Sequence, residues 1–265
     1  MKFNERTDGG ERMNDAREEM GIDACLLAGR LMMEAGAETY RVDDTMTRMA
    51  ASLDMEGADS FTTSTGIIFS PGGQRRVKLT SIRRRATDLE KIARVNAISR
   101  ALSSGEMTLE GAYGALKKIE SGNFMFPFWL QVLAAAIASA SFLVLFGGNW
   151  QNMIFAVIAG GIGFVVSEKF HERTRVKFFS EFTGSAVIGL ISLAAVRLGL
   201  GSQLDIIIIA SVMPLVPGLL ITNAIRDLMA GHFMAGISKG AEAFLTAFAI
   251  GSGIALILSL RGAGL

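Results

Sequence analysis

The chain is poor in the residues that build redox, metal and nucleophilic sites. It has one cysteine, Cys25, so no intramolecular disulfide can form, and its two histidines, His171 and His232, make no cluster of zinc spacing with it. No metal site and no cofactor is expected. Residues 1–125 contain no histidine, which removes Ser-His and Cys-His activation from that half and leaves no catalytic residue to assign. A Gly-rich loop ending in Lys-Ser or Lys-Thr is also missing, which argues against ATP hydrolysis as an energy source. The first twenty residues lack the apolar core of a cleavable signal, so the amino-terminal module is expected in the cytoplasm. A net charge of +1 supplies no basic excess for a phosphate backbone, so nucleic acid is not an expected partner.

Charge is scarce in one half only. Residues 1–123 hold 37 of the 51 charged side chains, and the remaining 142 residues hold 14. This distribution excludes a uniform soluble globule and predicts a polar module joined to an apolar one. The expected division is a disordered tail over 1–19, a cytoplasmic α+β domain over 20–123 and a membrane domain over 124–265.

In the polar half, Ala24, Leu27 and Leu31, then Val42, Met46, Met49 and Leu53, recur every three or four residues, as on an amphipathic helix that Gly36 kinks or splits. Asp44 and Arg48 are spaced to pair on its solvent side. Ser60 to Ser70 alternates with period two, Pro71-Gly72-Gly73-Gln74 offers a turn, and Val77 and Leu79 alternate on a return strand, which together predict a β-hairpin. Between Asp59 and Asp88 stand six basic residues (Arg75, Arg76, Lys78, Arg83, Arg84, Arg85) and no acidic one. They read either as a solvated face or as a patch that touches anionic headgroups. Two more helices follow, one with Leu89, Ile92, Val95, Ile98 and Leu102 on a face that ends at Gly105, the other capped by Thr108. The expected domain thus carries a hairpin and three to four helices.

A bilayer core of about 30 Å takes roughly 20 apolar residues in a helix. Five stretches qualify: Pro127 to Phe146, Trp150 to Ser167, Phe178 to Val196, Ile206 to Thr222 and Ala241 to Leu260. The fold class is accordingly an α-helical integral membrane protein of about five spans with an amino-terminal soluble α+β domain. Placing the amino terminus inside puts Lys117, Lys118, Lys169, Arg173, Arg175, Lys177, Arg226 and Lys239 on the cytoplasmic side and leaves Arg197 and Arg261 outside, as the positive-inside rule requires. Ala243, Ala247, Gly251 and Ala255, Ser185 with Gly189, and Gly160, Gly161 and Gly163 form small-residue stripes where spans can approach closely.

The fourth stretch contains Met213-Pro214-Leu215-Val216-Pro217-Gly218. Each proline removes an amide donor and obstructs the preceding turn, so this helix is expected to break. Irregular backbone at membrane depth is tolerated against protein or a water-filled cavity, and broken helices commonly form transporter substrate sites; a kink in a packing helix is the plainer reading. Asn223, Arg226 and Asp227 follow at helical spacing, Glu242 opens the last span and Glu181 lies within the third. Ionisable groups at such depth usually face a bundle interior or an aqueous path. Asp227 could instead pair with Arg226 at the interface, and Glu181 could snorkel.

Met213 to Gly218, followed by Asn223-Ala224-Ile225-Arg226-Asp227-Leu228 and Gly240-Ala241-Glu242-Ala243, resembles the membrane core of the bacterial threonine/serine exporter family. Gly36-Ala37-Glu38-Thr39-Tyr40-Arg41-Val42, the Thr-rich strand and Asp88-Leu89 are similar to its polar half. The resemblance implies a secondary transporter in the inner membrane that exports small hydrophilic metabolites, threonine and serine or, in a split branch, a dicarboxylate such as succinate. Longer members carry a second membrane domain, so this chain is expected to be the first component of the split form, with a separate small membrane subunit as partner and a homo-oligomer as an open alternative. On this reading Pro214, Pro217, Gly218 and Asn223 contact substrate, while Asp227, Glu242 and Glu181 are candidates for proton coupling. Two other roles stand beside transport: a membrane-tethered hydrolase, and a regulatory or assembly module docking on lipid or on the partner.

Overall fold

A computed structural model describes the backbone of residues 5–72, 77–83 and 85–262, with side chains from residue 15 to residue 260 within those limits. Gly73, Gln74, Arg75, Arg76 and Arg84, named above for the turn and the basic patch, lie outside the described residues, as do residues 1–4 of the expected tail. The described chain is mostly helical and divides into two compact units. The first takes in the residues up to Met125 together with Thr222–Gly240; the second takes in Phe126–Ile221 and the chain from Ala241 onward. The segment 222–240 thus groups with the first unit and not with the apolar residues on either side of it.

In the first unit, α1 (Glu5–Glu34) and α2 (Thr39–Ala51) are separate helices. The helix reaches back to Glu5, through residues 5–19 that the charged composition suggested would be a tail. Gly36 splits the pair: its φ of +85° is open to glycine without a Cβ penalty, and the amides of Gly36 and Ala37 close α1 on the carbonyls of Met33 and Met32. The predicted apolar stripe is the core, with Ala24, Leu31, Val42, Met46 and Met49 buried. α3 (Leu89–Ser103) is capped by Asp88, whose carboxylate accepts from the Lys91 amide at 2.9 Å, and α4 (Leu109–Ser121) by Thr108. Gly105 ends the α3 turn at φ +76°.

The strand reading needs one correction. Ser60 to Ser70 is two strands, β1 (Asp59–Thr62) and β2 (Gly66–Ser70), and β3 (Lys78–Ser81) completes an antiparallel sheet of order β1-β2-β3. The turn is made by Thr63, whose amide and hydroxyl both donate to the Gly66 carbonyl, a side-chain turn hidden inside a Thr-rich alternation. Phe61 consequently points away from Ile67 and Phe69; it is exposed while they are buried against α1.

In the second unit, α5 (Phe128–Leu145), α6 (Met153–Thr174) and α7 (Lys177–Arg197) match the first three expected spans. The fourth is broken: α8 (Leu204–Val212) runs into a 3-10 turn at Met213–Leu215, and α9 (Gly218–Met229) departs with a bend of 62°. α10 (Phe233–Gly262) starts eight residues before the expected span and continues through it. Among the described residues, four helices are long and apolar enough to cross a membrane, or five if the bent pair is one span.

Small residues set the helix contacts. Gly163 of α6 meets Ile188 and the Gly184 carbonyl of α7, and Gly253 of α10 meets Ser185 and the Phe182 carbonyl of α7. The stripe expected on α10 is only partly a contact face: Ala243 is buried, but Ala247, Gly251 and Ala255 point outward, and the packed face runs through Thr246, Ile250, Gly253 and Ile257. Two neighbouring glycines therefore give a clean contrast. Gly253→Leu, which would overpack the α7 contact, is expected to abolish the folded, monodisperse protein after detergent extraction, whereas Gly251→Leu, with open space around it, should leave yield and melting unchanged.

Candidate functional site

The break in the second unit is local chemistry. Pro214 and Pro217 have no amide hydrogen, so the carbonyls of Ala210 and Met213 lose their helical donors; Met213 instead accepts from Val216 at 3.2 Å, and the Gly218 amide turns back to Val216 at 2.8 Å. The helix restarts with the Ile221 amide bonding the Pro217 carbonyl at 3.0 Å. Leu215 is buried beside Gly184 of α7, while Gly218 is exposed, with no atom within 4 Å of where a Cβ would sit. Both prolines are half-buried.

Glu181 lies close by on α7. Its carboxylate accepts from the Ser167 hydroxyl of α6 at 3.4 Å, and Ser167 also packs on Gly184, the residue that meets Leu215. Lys177, one turn earlier, pairs with Glu242 of α10 at 3.3 Å. Two of the three candidate coupling carboxylates, Glu181 and Glu242, thus share the second unit with Pro214, Pro217 and Gly218. Sequence reasoning missed Asn152 and Gln203, which tie the α5–α6 connection to the α7–α8 connection: Gln203 accepts from the Asn149 amide at 2.9 Å and the Asn152 side chain at 3.0 Å. Only their polarity beside apolar spans could have signalled it.

Asn223 and Asp227 belong elsewhere, in the first unit, where three separate motifs meet. Asp227 is fully buried; one oxygen accepts from the Thr39 amide at 2.8 Å, the other from the Thr39 hydroxyl at 2.8 Å and from Lys239 at 2.7 Å. Lys239, 4% exposed, also donates to the Ala37 carbonyl at 3.1 Å. Asn223 donates to the Gly36 carbonyl at 2.8 Å, and Arg226 pairs with Glu38 at 2.6 Å rather than with Asp227. Asp227 is therefore not the interfacial partner of Arg226. Burial raises the Glu38 carboxyl, but its backbone hydrogen bond, Arg226 and Arg41 outweigh that and hold it below the usual range. Alongside, Asp43 accepts from Ser60 and Thr62 and faces His232 at 3.6 Å; burial pushes its carboxyl up.

The sequence motifs around Gly36–Val42, Asn223–Leu228 and Lys239 are thus one hydrogen-bonded cluster, with every charge of the buried pair satisfied. A polar α+β body whose fold includes part of an otherwise apolar helical half, and a helix set with a proline-broken member, define a multi-pass membrane protein. Comparison with known proteins gives the family. Residues 23–261 match the ThrE family, described as "Putative threonine/serine exporter", and the chain belongs to it. It is similar to a "Probable threonine/serine exporter" of Mycobacterium tuberculosis, 22% identical over 262 residues, which cover 97% of this chain and 48% of that protein. It is likewise similar to the "Probable succinate transporter subunit YjjP" of Escherichia coli, 24% identical over 246 residues covering 90% of this chain and 93% of that one. The "Pheromone-regulated membrane protein 10" of Kluyveromyces lactis is 26% identical over 88% of this chain and 25% of its own length. The chain thus spans about half the length of the mycobacterial relative. No solved structure matches.

Removing one partner of a buried, hydrogen-bonded ion pair costs about 3–5 kcal/mol, because the other charge is left uncompensated. Asp227→Asn and Lys239→Met should each lower the unfolding free energy measured in detergent by that much, and the double variant by less than the sum of the two. The Glu38 contribution has the opposite pH dependence to a histidine: with a folded value below 4.5 it is complete above that pH and is lost only as pH falls further, so acid titration of stability should show no loosening of the Arg226 contact above about pH 4.5.

Proposed function

We propose that this chain is a secondary-transport component that exports a small hydrophilic carboxylate-bearing metabolite across the bacterial inner membrane in exchange for protons. Membership of the threonine/serine exporter family supports export. The names carried by relatives support two substrate classes, a threonine/serine-type amino acid and a dicarboxylate such as succinate. Both classes carry a carboxylate, which the positive end of a half-helix favours, and α9 restarts at Gly218 within the broken span. Pro214, Pro217 and Gly218 are read as the lining of the path.

The observation that carries the coupling role is Glu181, a carboxylate on a membrane helix, held by Ser167 next to the break. Glu242, paired with Lys177, is the second candidate. Asn223 and Asp227 are read as anchors of α9, since their polar groups already bond the polar unit. The subunit designation of YjjP supports a second small membrane subunit as partner, and on this reading the polar unit is cytoplasmic and aids assembly.

Efflux of labelled serine, threonine and succinate from cells expressing the chain, with and without the small membrane subunit, tests the reading. One of the three is expected to leave the cell faster with both proteins present. Glu181→Gln and Pro217→Ala should each cut that efflux by roughly tenfold or more, the factor that about 1.4 kcal/mol supplies. Unchanged efflux in both variants would remove the site assignment.

A further inference from the structure

The first unit holds a titratable contact that neither the buried ion pair nor the proposed path uses. His232 faces Asp43 of α2, Nδ1 to Oδ2 at 3.6 Å, with side chains 26% and 20% exposed. The other Asp43 oxygen accepts from the Ser60 hydroxyl at 2.8 Å and from the Thr62 hydroxyl, both on β1. Asp43 thus joins α2, β1 and the turn between α9 and α10, all within that unit.

The turn pivots on His232. Gly231, at φ +87°, ends α9 in a Schellman arrangement: its amide donates to the Leu228 carbonyl at 3.1 Å, and the His232 amide donates to the Asp227 carbonyl at 2.9 Å. The His232 carbonyl then accepts from the Gly236 amide at 2.9 Å, which opens α10. One helix stops and the next begins at this residue, and its side chain carries the tie from that point to Asp43.

The surrounding charges leave Asp43 to the imidazole. On α2, Arg41 pairs with Glu38 and Arg48 with Asp44; on α9 and α10, Arg226 pairs with Glu38 and Lys239 with Asp227. On β1 the titratable group is Asp59, whose charge opposes that of Asp43. Burial pushes the Asp43 carboxyl up, against the pull of the Thr62 and Ser60 hydroxyls and of His232. A carboxylate short of water and close to a second one gains from a cation alongside, and histidine as a residue type changes charge between about pH 5 and pH 8. At the acid end of that window an imidazolium pairs with Asp43; at the alkaline end the neutral ring brings no charge, so the contribution of the contact is lost as pH rises.

We propose that the Asp43–His232 contact is a pH-sensitive clamp, closed by the imidazolium and released by the neutral ring, that sets how firmly the α9–α10 turn is held on α2 and β1. α9 continues from the break at Pro217, so the clamp bears on the second half of the broken element. On the transport reading above, protons enter the compartment of the polar unit as solute leaves, and a clamp that closes in acid is a brake on further exchange. That consequence rests on the transport reading; the clamp itself does not.

Unfolding of the full-length protein in detergent at about pH 5.5 and about pH 8 tests the clamp through the double-mutant cycle of Asp43→Asn and His232→Gln. The coupling between the two side chains is expected to be roughly fivefold larger, in the unfolding equilibrium constant, at the lower pH. Coupling that is equal at the two pH values, or larger at the higher one, would overturn the proposal. His232→Arg serves if Asp43→Asn fails to fold: the native protein should lose its stability advantage over His232→Gln as pH rises, while His232→Arg, charged throughout, should keep its own. A native advantage that does not change with pH would equally overturn the clamp. Efflux at stepped internal pH is read separately: it is expected to slow in acid, and His232→Gln to flatten that dependence. A pH dependence that His232→Gln leaves unaltered would overturn the brake. Coupling that strengthens in acid in a protein that exports none of the three solutes would support the clamp and contradict the transport reading.

Discussion

A buried ion pair persists only if both groups are hydrogen-bonded to further partners as well as to each other, and the Lys239–Asp227 pair meets that condition through Thr39 and Ala37. Its partners come from a helix junction near the start of the chain and from two helices near its end, with Thr39 and Asp227 separated by 188 residues. The polar unit is consequently incomplete without Thr222–Gly240, and those residues are consequently not free to behave as an ordinary span. The break at Pro217 lets both conditions hold: α8 keeps its apolar face in the second unit while α9 leaves it to satisfy the pair.

The same arrangement separates the polar residues of the carboxy-terminal half by task. Asn223, Arg226, Asp227 and Lys239 spend their hydrogen bonds on Gly36, Glu38, Thr39 and Ala37. Glu181 accepts from Ser167 at 3.4 Å, and Glu242 pairs with Lys177 at 3.3 Å, both within the second unit. A group that must hold two elements together needs saturation, which Asp227 and Lys239 have.

Much of this was legible in the sequence where the controlling contacts are local. The heptad-like stripes of α1, α2 and α3, the Thr108 cap, the Gly36 split and the proline break each depend on residues within a turn or two of one another. The β1–β2 turn was not legible, because Thr63 and Gly66 make it with side-chain bonds that leave the alternation of Thr and apolar residues undisturbed. Nor was the membership of 222–240 in the polar unit, since hydropathy reports only what a segment avoids, not which distant carbonyls its lysine will find. The outward turn of Gly251 had the same cause: glycines two residues apart on α10 look alike in sequence, and only the approach of Phe182 and Ser185 selects Gly253.

On the proposed reading, solute leaves in exchange for protons carried by Glu181. Proteoliposomes holding the chain and its small partner subunit, loaded with the exported solute and a pH-sensitive dye and then diluted into solute-free buffer, test it directly. The lumen is expected to acidify in step with solute efflux, and Glu181→Gln to remove both signals together. Efflux without a change of internal pH, or unaltered exchange in Glu181→Gln, would contradict it.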